Sequence, residues 1–288
     1  MTRGAHERET IGQALRHIVT LALEEDLDLA GDITSRAIFG PGDTGAARVV
    51  TRETCVISGM AAADEVCLQV DPDLTWLPLV EDGQRVPAAA EVARLEGRFV
   101  SILAAERTLL NFLSRLSGVA TLTAGFVEAV AGTPSRIAAT RKTSPGLRLL
   151  EKQAVVDGGG ELHRIGLYDA VLIKDNHVTA AGGVGAAVAA ARKALGDEVE
   201  IEVEVETAAE FEEALAAGAG RVLLDNMTPE AVRGCVELAA GRGVVIEASG
   251  GISLGNLRAY AEAGADVISV GALTRSAPGI DFSLEVEK

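Results

Sequence analysis

From about residue 135 the chain repeats one grammar: a short apolar strand, a polar loop, then an amphipathic helix. Strands are expected at 137–139, 170–174, 200–205, 221–224, 244–247 and 267–270. Helices are expected near 146–156, 184–195, 207–217, 229–241 and 253–263, with Gly218, Gly220, Gly241 and Gly264 where helix C-caps belong. Repeated strand–helix units imply a parallel sheet with helices outside it. A seventh or eighth strand is expected near 119–130 or in the tail. Polar residues end most of the strands and converge only if the sheet curls shut, so closure into a barrel is expected.

Upstream the pattern differs. Ile11, Leu15, Ile18, Leu21 and Leu23 recur at helical spacing, and the acidic stretch 24–35 reads as a helix exit followed by an Asp/Thr cap. Residues 46–103 alternate short strands and turns around one Ala-rich helix ending near Val70, a pattern that suits a small α/β sandwich. A long helix follows over 102–116, apolar on more than one face and so expected to be buried between layers or subunits. Arg107 and Arg115 on it then need partners. Gly118 is the expected break. The domains expected are 1–117 and 118–275, with the tail 276–288 returning to the first.

Charge supplies the next constraint. The protein carries a net charge of −16, yet Arg141, Lys142, Arg148, Lys152, His163, Arg164 and Lys174 fall within a few dozen residues. A solvated face paired to Glu151, Asp157 and Asp169 is one reading. A pocket for a small polyanion is the other, favoured because the cations follow directly on buried strands. The acidic balance and 3% aromatic content disfavour nucleic acid as a partner. Cys55, Cys67 and Cys235 are scattered thiols, consistent with a reducing compartment and with neither a disulfide framework nor a zinc site. No apolar run is long enough for a bilayer and none follows the N-terminus, so neither a membrane partner nor a signal peptide is expected, and the expected location is cytoplasmic.

Glu200, Glu202, Glu204 and Glu206 alternate with Ile201, Val203 and Val205, so the carboxylates share one face of a strand. They line either an exposed edge or the barrel interior. The interior is favoured, because the apolar face should meet the helices. Buried carboxylates need counter-charges or a metal, and Mg²⁺ suits such oxygens. Glu204 is best placed for ligand work. Asp225 ends the next strand, as its partner or as a helix N-cap. Ser249, Gly250 and Gly251 form either a tight turn or a phosphate cradle at a helix start, with Gly271 beside it. His163 and Arg164, after three glycines, read as an anion clamp; His177 reads as a loop hydrogen-bonder.

These residues bear a resemblance to the quinolinate phosphoribosyltransferase family. It runs from Glu25-Asp26-Leu27 and Gly31-Asp32-Ile33-Thr34-Ser35 through Glu106-Arg107-Thr108, and on through Thr140-Arg141-Lys142-Thr143 with Lys174-Asp175-Asn176-His177. Ala139, Leu162 and Arg275 depart from the family pattern, which usually has Asp, Asn and His there. The resemblance implies an N-terminal α/β sandwich beside an incomplete α/β barrel. It implies a cytoplasmic homodimer, or a higher oligomer, with shared active sites. The reaction implied joins quinolinate to phosphoribosyl pyrophosphate, in NAD synthesis, with Mg²⁺ as cofactor. Arg141, His163, Arg164 and Lys174 would hold the quinolinate carboxylates, with Arg107 reaching in from a neighbouring subunit. Lys142 would face the pyrophosphate, and Glu204 and Asp225 the ribose hydroxyls and Mg²⁺. Ser249, Gly250, Gly251 and Gly271 would cradle the 5′-phosphate. The alternatives are a related enzyme acting on another heterocyclic acid, or a non-catalytic anion-binding relative.

Overall fold

The computed structural model describes residues 3–196 and 199–287, with side chains from residue 12 onward. The first half of the chain forms α1 (Arg3–Leu27), α2 (Ile33–Ile38), β1 (Thr44–Thr51), β2 (Cys55–Val56), α3 (Met60–Val70), β3 (Thr75–Pro78), β4 (Arg85–Val86), β5 (Glu91–Arg98) and α4 (Phe99–Ala129). Then follow β6 (Arg136–Ala138), α5 (Arg148–Asp157), β7 (Val171–Ile173), α6 (Asp175–Ala181), α7 (Val184–Leu195), β8 (Ile201–Val205) and α8 (Ala208–Ala216). The last elements are β9 (Arg221–Asp225), α9 (Pro229–Ala239), β10 (Val245–Ser249), α10 (Leu257–Glu262), β11 (Val267–Ser269), α11 (Ala272–Arg275) and β12 (Phe282–Glu287).

The chain divides into two compact units. The first comprises Met1–Ala124, Thr143–Gly159 and Ser276–Lys288. Its antiparallel sheet runs in the order β12-β1-β5-β3, so the C-terminal strand lies beside the first strand, Val49 opposite Leu284. Alternate residues Ala47, Val49 and Thr51 are buried, as period-two side chains on a half-covered sheet require. On α1 the buried stripe is Leu15, Val19 and Leu23; Leu21 is exposed, and Ile11 lies outside the described side chains. Asp32 caps α2, accepting the N–H groups of Thr34 and Ser35 at 3.0 Å each.

One expectation fails along α4: the helix starts earlier than 102 and runs to Ala129, through Gly118, and the two compact units part after Ala124 within it. Gly118 does not break the helix. It is the place where another chain segment touches it, since a Cβ there would run into the carbonyl oxygen of Pro278. The segment 143–159, expected in the barrel, also belongs to the first unit. There Arg115 on α4 pairs with fully buried Glu151 of α5 at 2.6 Å.

The second unit comprises Gly125–Lys142 and Gly160–Arg275. Its sheet is parallel, in the order β6-β11-β10-β9-β8-β7. Among the described residues it has six strands and stays open between β6 and β7. The barrel is incomplete. The extra strand expected near 119–130 is the end of α4, and the tail strand is β12 of the other sheet. On β8, Ile201, Val203 and Val205 are buried, and α7 and α8 pack on this strand. Gly218, Gly241 and Gly264 take left-handed φ just after α8, α9 and α10, as expected of helix-ending glycines; Gly220 does not. No helix among the described residues is long and apolar enough to cross a membrane.

Candidate active site

Side-chain parity builds the site. In the sheet register Glu202 lies opposite Arg221; one step on, Glu204 and Glu247 flank Leu223; one step further, Ser249 lies between Asp225 and Ser269. Residues two apart on a strand share a face, so these form three layers on one side of the sheet. The upper two layers line a pocket of about 480 Å³. Glu204 and Glu202 therefore face the interior, while Glu200 and Glu206 lie outside β8 and are exposed.

Cations enter from three loops. Arg141 and Lys142 follow β6, His163 and Arg164 follow the turn 158–160, and Lys174 follows β7; all five line the pocket. The first loop is pinned at its backbone. The Lys142 N–H donates to Thr140 Oγ1 at 3.1 Å, and Thr274 Oγ1 donates to the Lys142 carbonyl at 2.9 Å. Gly271 packs against this loop; a Cβ there would lie 3.2 Å from Lys142 Cδ. Burial first, then the charge of Arg141, pulls Arg164 below its ordinary pKa. Two guanidiniums close enough to repel make a receptor for an anion. Arg141 Nε is buried in this pocket without a hydrogen-bond partner.

Two carboxylates face the cations. Glu204 pairs with Lys174. Asp225 accepts from Asn226 Nδ2 at 2.7 Å and is not a helix cap, because Thr228 caps α9. His177 accepts the Lys174 N–H on Nδ1 at 2.9 Å, so it is a hydrogen-bonder as expected, but in the first turn of α6, whose N-terminus it caps, rather than in a loop. Ser249 lines the pocket, and Gly250 and Gly251 follow it in left-handed conformations. The expected helix start does not lie there, since α10 begins only at Leu257. Arg148 and Lys152 belong to the first unit and do not line the pocket, nor does Arg107. Arg107 is exposed on α4, beside Ser114 and Ile280 in a separate cavity, with no ion pair to a described residue. A further cavity of about 410 Å³ in the first unit is mainly apolar, and its one arginine, Arg115, is engaged by Glu151.

Sequence reasoning missed the floor of the pocket. His163 Nε2 lies 3.2 Å from Glu202 and 3.3 Å from Glu247. Arg221 Nε donates to both carboxylates, at 3.1 and 3.0 Å. The two glutamates are 4% and 0% exposed, so these charges balance one another away from water. Burial alone would lower His163, but the hydrogen bonds and charges of Glu202 and Glu247 outweigh it and raise its pKa to about 9. Burial would likewise raise Glu247, but His163 and Arg221 hold it well below the usual carboxylate range. The available signal was parity: Glu247 stands two residues before Ser249, and Arg221 four before Asp225.

Comparison with known proteins divides the chain between residues 117 and 119 rather than after Ala124. Two family models match: "Quinolinate phosphoribosyl transferase, N-terminal domain" over residues 32–117 and "Quinolinate phosphoribosyl transferase, C-terminal domain" over residues 119–285. A probable nicotinate-nucleotide pyrophosphorylase [carboxylating] of Bacillus subtilis is 41% identical, covering 89% of this chain and 88% of that protein. A mitochondrial quinolinate phosphoribosyltransferase [decarboxylating] of Nicotiana tabacum is 38% identical, covering 95% and 82%. The solved nicotinate-nucleotide pyrophosphorylase of Francisella tularensis superposes with a TM-score of 0.90 at 42% identity, covering 96% of each chain.

Proposed function

The chain belongs to the quinolinate phosphoribosyltransferase family, and from that premise we propose how its basic pocket divides the work of the reaction. The enzyme is a pentosyltransferase that converts quinolinate and phosphoribosyl pyrophosphate to nicotinate mononucleotide, pyrophosphate and CO₂. The observation that carries the assignment of roles is the meeting of Arg141, Lys142, His163, Arg164 and Lys174 with Glu204 and Asp225 in one pocket.

Arg141, His163, Arg164 and Lys174 bind the two quinolinate carboxylates. The unpartnered Arg141 Nε supports that role, because a buried guanidinium nitrogen without a partner is costly until a ligand accepts from it. Lys174, 43% exposed, turns from Glu204 to the substrate, and the largely buried Glu204 then needs another positive group against it. Lys142 faces the leaving pyrophosphate. Ser249, Gly250, Gly251 and Gly271 receive the 5′-phosphate. The pyridine nitrogen attacks the anomeric carbon, the C–O bond to pyrophosphate breaks, and Lys142 meets the charge that develops on the departing oxygen. Glu204 and Asp225 offset positive charge on the ribose ring. The pyridinium then takes up the electron pair of the breaking C–C bond, and the adjacent carboxylate leaves as CO₂.

Glu204 and Asp225 on neighbouring strands are a fitting donor set for Mg²⁺, a hard cation that keeps several waters and substrate oxygens. When bound there it would neutralise pyrophosphate charge. The cluster His163, Glu202 and Glu247 is close enough to hold a cation, but Arg221 already occupies its carboxylates. The working unit proposed is a cytoplasmic homodimer in which Arg107 of one subunit completes the other's site. Turnover of quinolinate, nicotinate and isomeric dicarboxylates tests the substrate reading. Quinolinate should be consumed with CO₂ release and nicotinate should not; preference for a monocarboxylate would overturn it.

A further inference from the structure

Beneath the pocket, two buried carboxylates meet one arginine and one histidine. Burial raises Glu202 above its ordinary pKa while His163 and Arg221 pull it down, and with both glutamates ionised the charge count sets the histidine's state. Glu202 and Glu247 contribute two negative charges and Arg221 one positive. A neutral imidazole would leave a net buried negative charge, which a protein interior strongly disfavours. An imidazolium closes the balance. It is also a donor at both ring nitrogens, so a ring whose Nε2 faces the glutamates still brings its charge and a second N–H to the pocket it lines. The layering of the sheet makes the arrangement rigid: Glu202 lies opposite Arg221 in the register, and Glu247 one step beyond on the next strand.

We propose that Glu247, with Glu202 and Arg221, is a positioning residue that holds His163 as an imidazolium aimed at the pyridine carboxylate of the substrate. The proposal rests on the reading of the pocket as the quinolinate site. Glu247 touches no substrate; it acts through His163. Ser269, buried in the same pocket lining, adds its hydroxyl to the groups that hold the Glu247 carboxyl below its ordinary pKa. The charged groups around the ring are Glu202 and Glu204 from β8, Arg221 and Asp225 from β9 and Glu247 from β10. Arg141 and Lys142 approach from beyond β6, Lys174 and Asp175 from beyond β7, and Arg164 stands beside it. The five basic neighbours oppose the imidazolium, so the glutamates beneath it are what keep it charged.

The test has two arms on the full-length protein. The chain has four histidines, so nitrogen-15 NMR with His163→Asn for assignment resolves the ring without any turnover. In the wild type His163 should titrate near 9. Glu247→Gln, which leaves Arg221 paired with Glu202, should move that titration down by about a unit or more, roughly a tenfold loss of proton affinity. Glu247→Asp should restore most of it. In the second arm, KM for quinolinate in Glu247→Gln should rise in the window between its lowered titration, about 8 or below, and about 9, while kcat changes less, and fall back as acid restores the proton. A wild-type His163 that titrates near 6.5, or a Glu247→Gln titration identical to wild type, overturns the proposal. So does a KM raised by one factor at every pH, the result a merely structural role would give. If Glu247→Gln does not fold, the wild-type titration and Glu247→Asp decide. His163 titrating near 9 in a protein that does not consume quinolinate would sink the substrate reading alone.

Discussion

Lys142 stands on a loop whose backbone is tied to two threonines while its side chain reaches into the pocket. A cation held in that way contributes most where negative charge grows during the reaction. Lys142→Ala should therefore lower kcat by about a hundredfold or more, with a smaller effect on KM. Steady-state kinetics with both substrates varied decides; a raised KM with unchanged kcat would mean that Lys142 only binds. The residues at this scale divide by legibility. Arg141, Lys142, Lys174 and Asp225 were visible because charge at the end of an apolar strand is conspicuous. Arg221 and Glu247 were not, because a charge inside or at the start of a strand reads as an outer face until the strand's neighbours are known. Their pairing with each other and with Glu202 depends on the register of the successive strands β8, β9 and β10.

Helix α4 shows the same limit at the level of an element. Its apolar faces were legible as a buried helix, and its Arg115 does find a buried partner in Glu151. Gly118 was not legible, because glycine in a helix can mean a stop or a close approach, and the approaching segment is the distant Pro278. The two meanings predict opposite signs. Replacing an interior helical glycine by alanine stabilises a helix by about 1 kcal/mol when nothing is in the way. Here the new methyl meets a backbone oxygen that cannot swing aside, so Gly118→Ala should destabilise by about 1–3 kcal/mol and lower Tm. Thermal unfolding measures it, and a higher Tm would show that the contact with Pro278 yields. The short helices α6 and α11 were missed for a related reason: each fits within what reads as a polar loop at a strand end.

For the whole molecule, the βα grammar foretold the parallel sheet and its helices, but not that the sheet stops at six strands among the described residues. Nor did local pattern show that 143–159 leaves the second unit for the first, a matter of tertiary contact alone. Shared active sites make a prediction at this scale. If Arg107 serves the neighbouring subunit, Arg107→Ala and Lys174→Ala should each be nearly inactive, yet mixed and exchanged subunits should regain up to roughly a quarter of wild-type activity per site by random pairing. Heterodimers no more active than the single mutants would confine Arg107 to its own chain. The most direct measurement, however, follows the carboxyl carbon. With carboxyl-labelled quinolinate and phosphoribosyl pyrophosphate, one CO₂ and one pyrophosphate should appear per quinolinate consumed, with neither released when one substrate is withheld. Pyrophosphate without CO₂, or CO₂ without phosphoribosyl pyrophosphate, would contradict a pocket that couples transfer to decarboxylation.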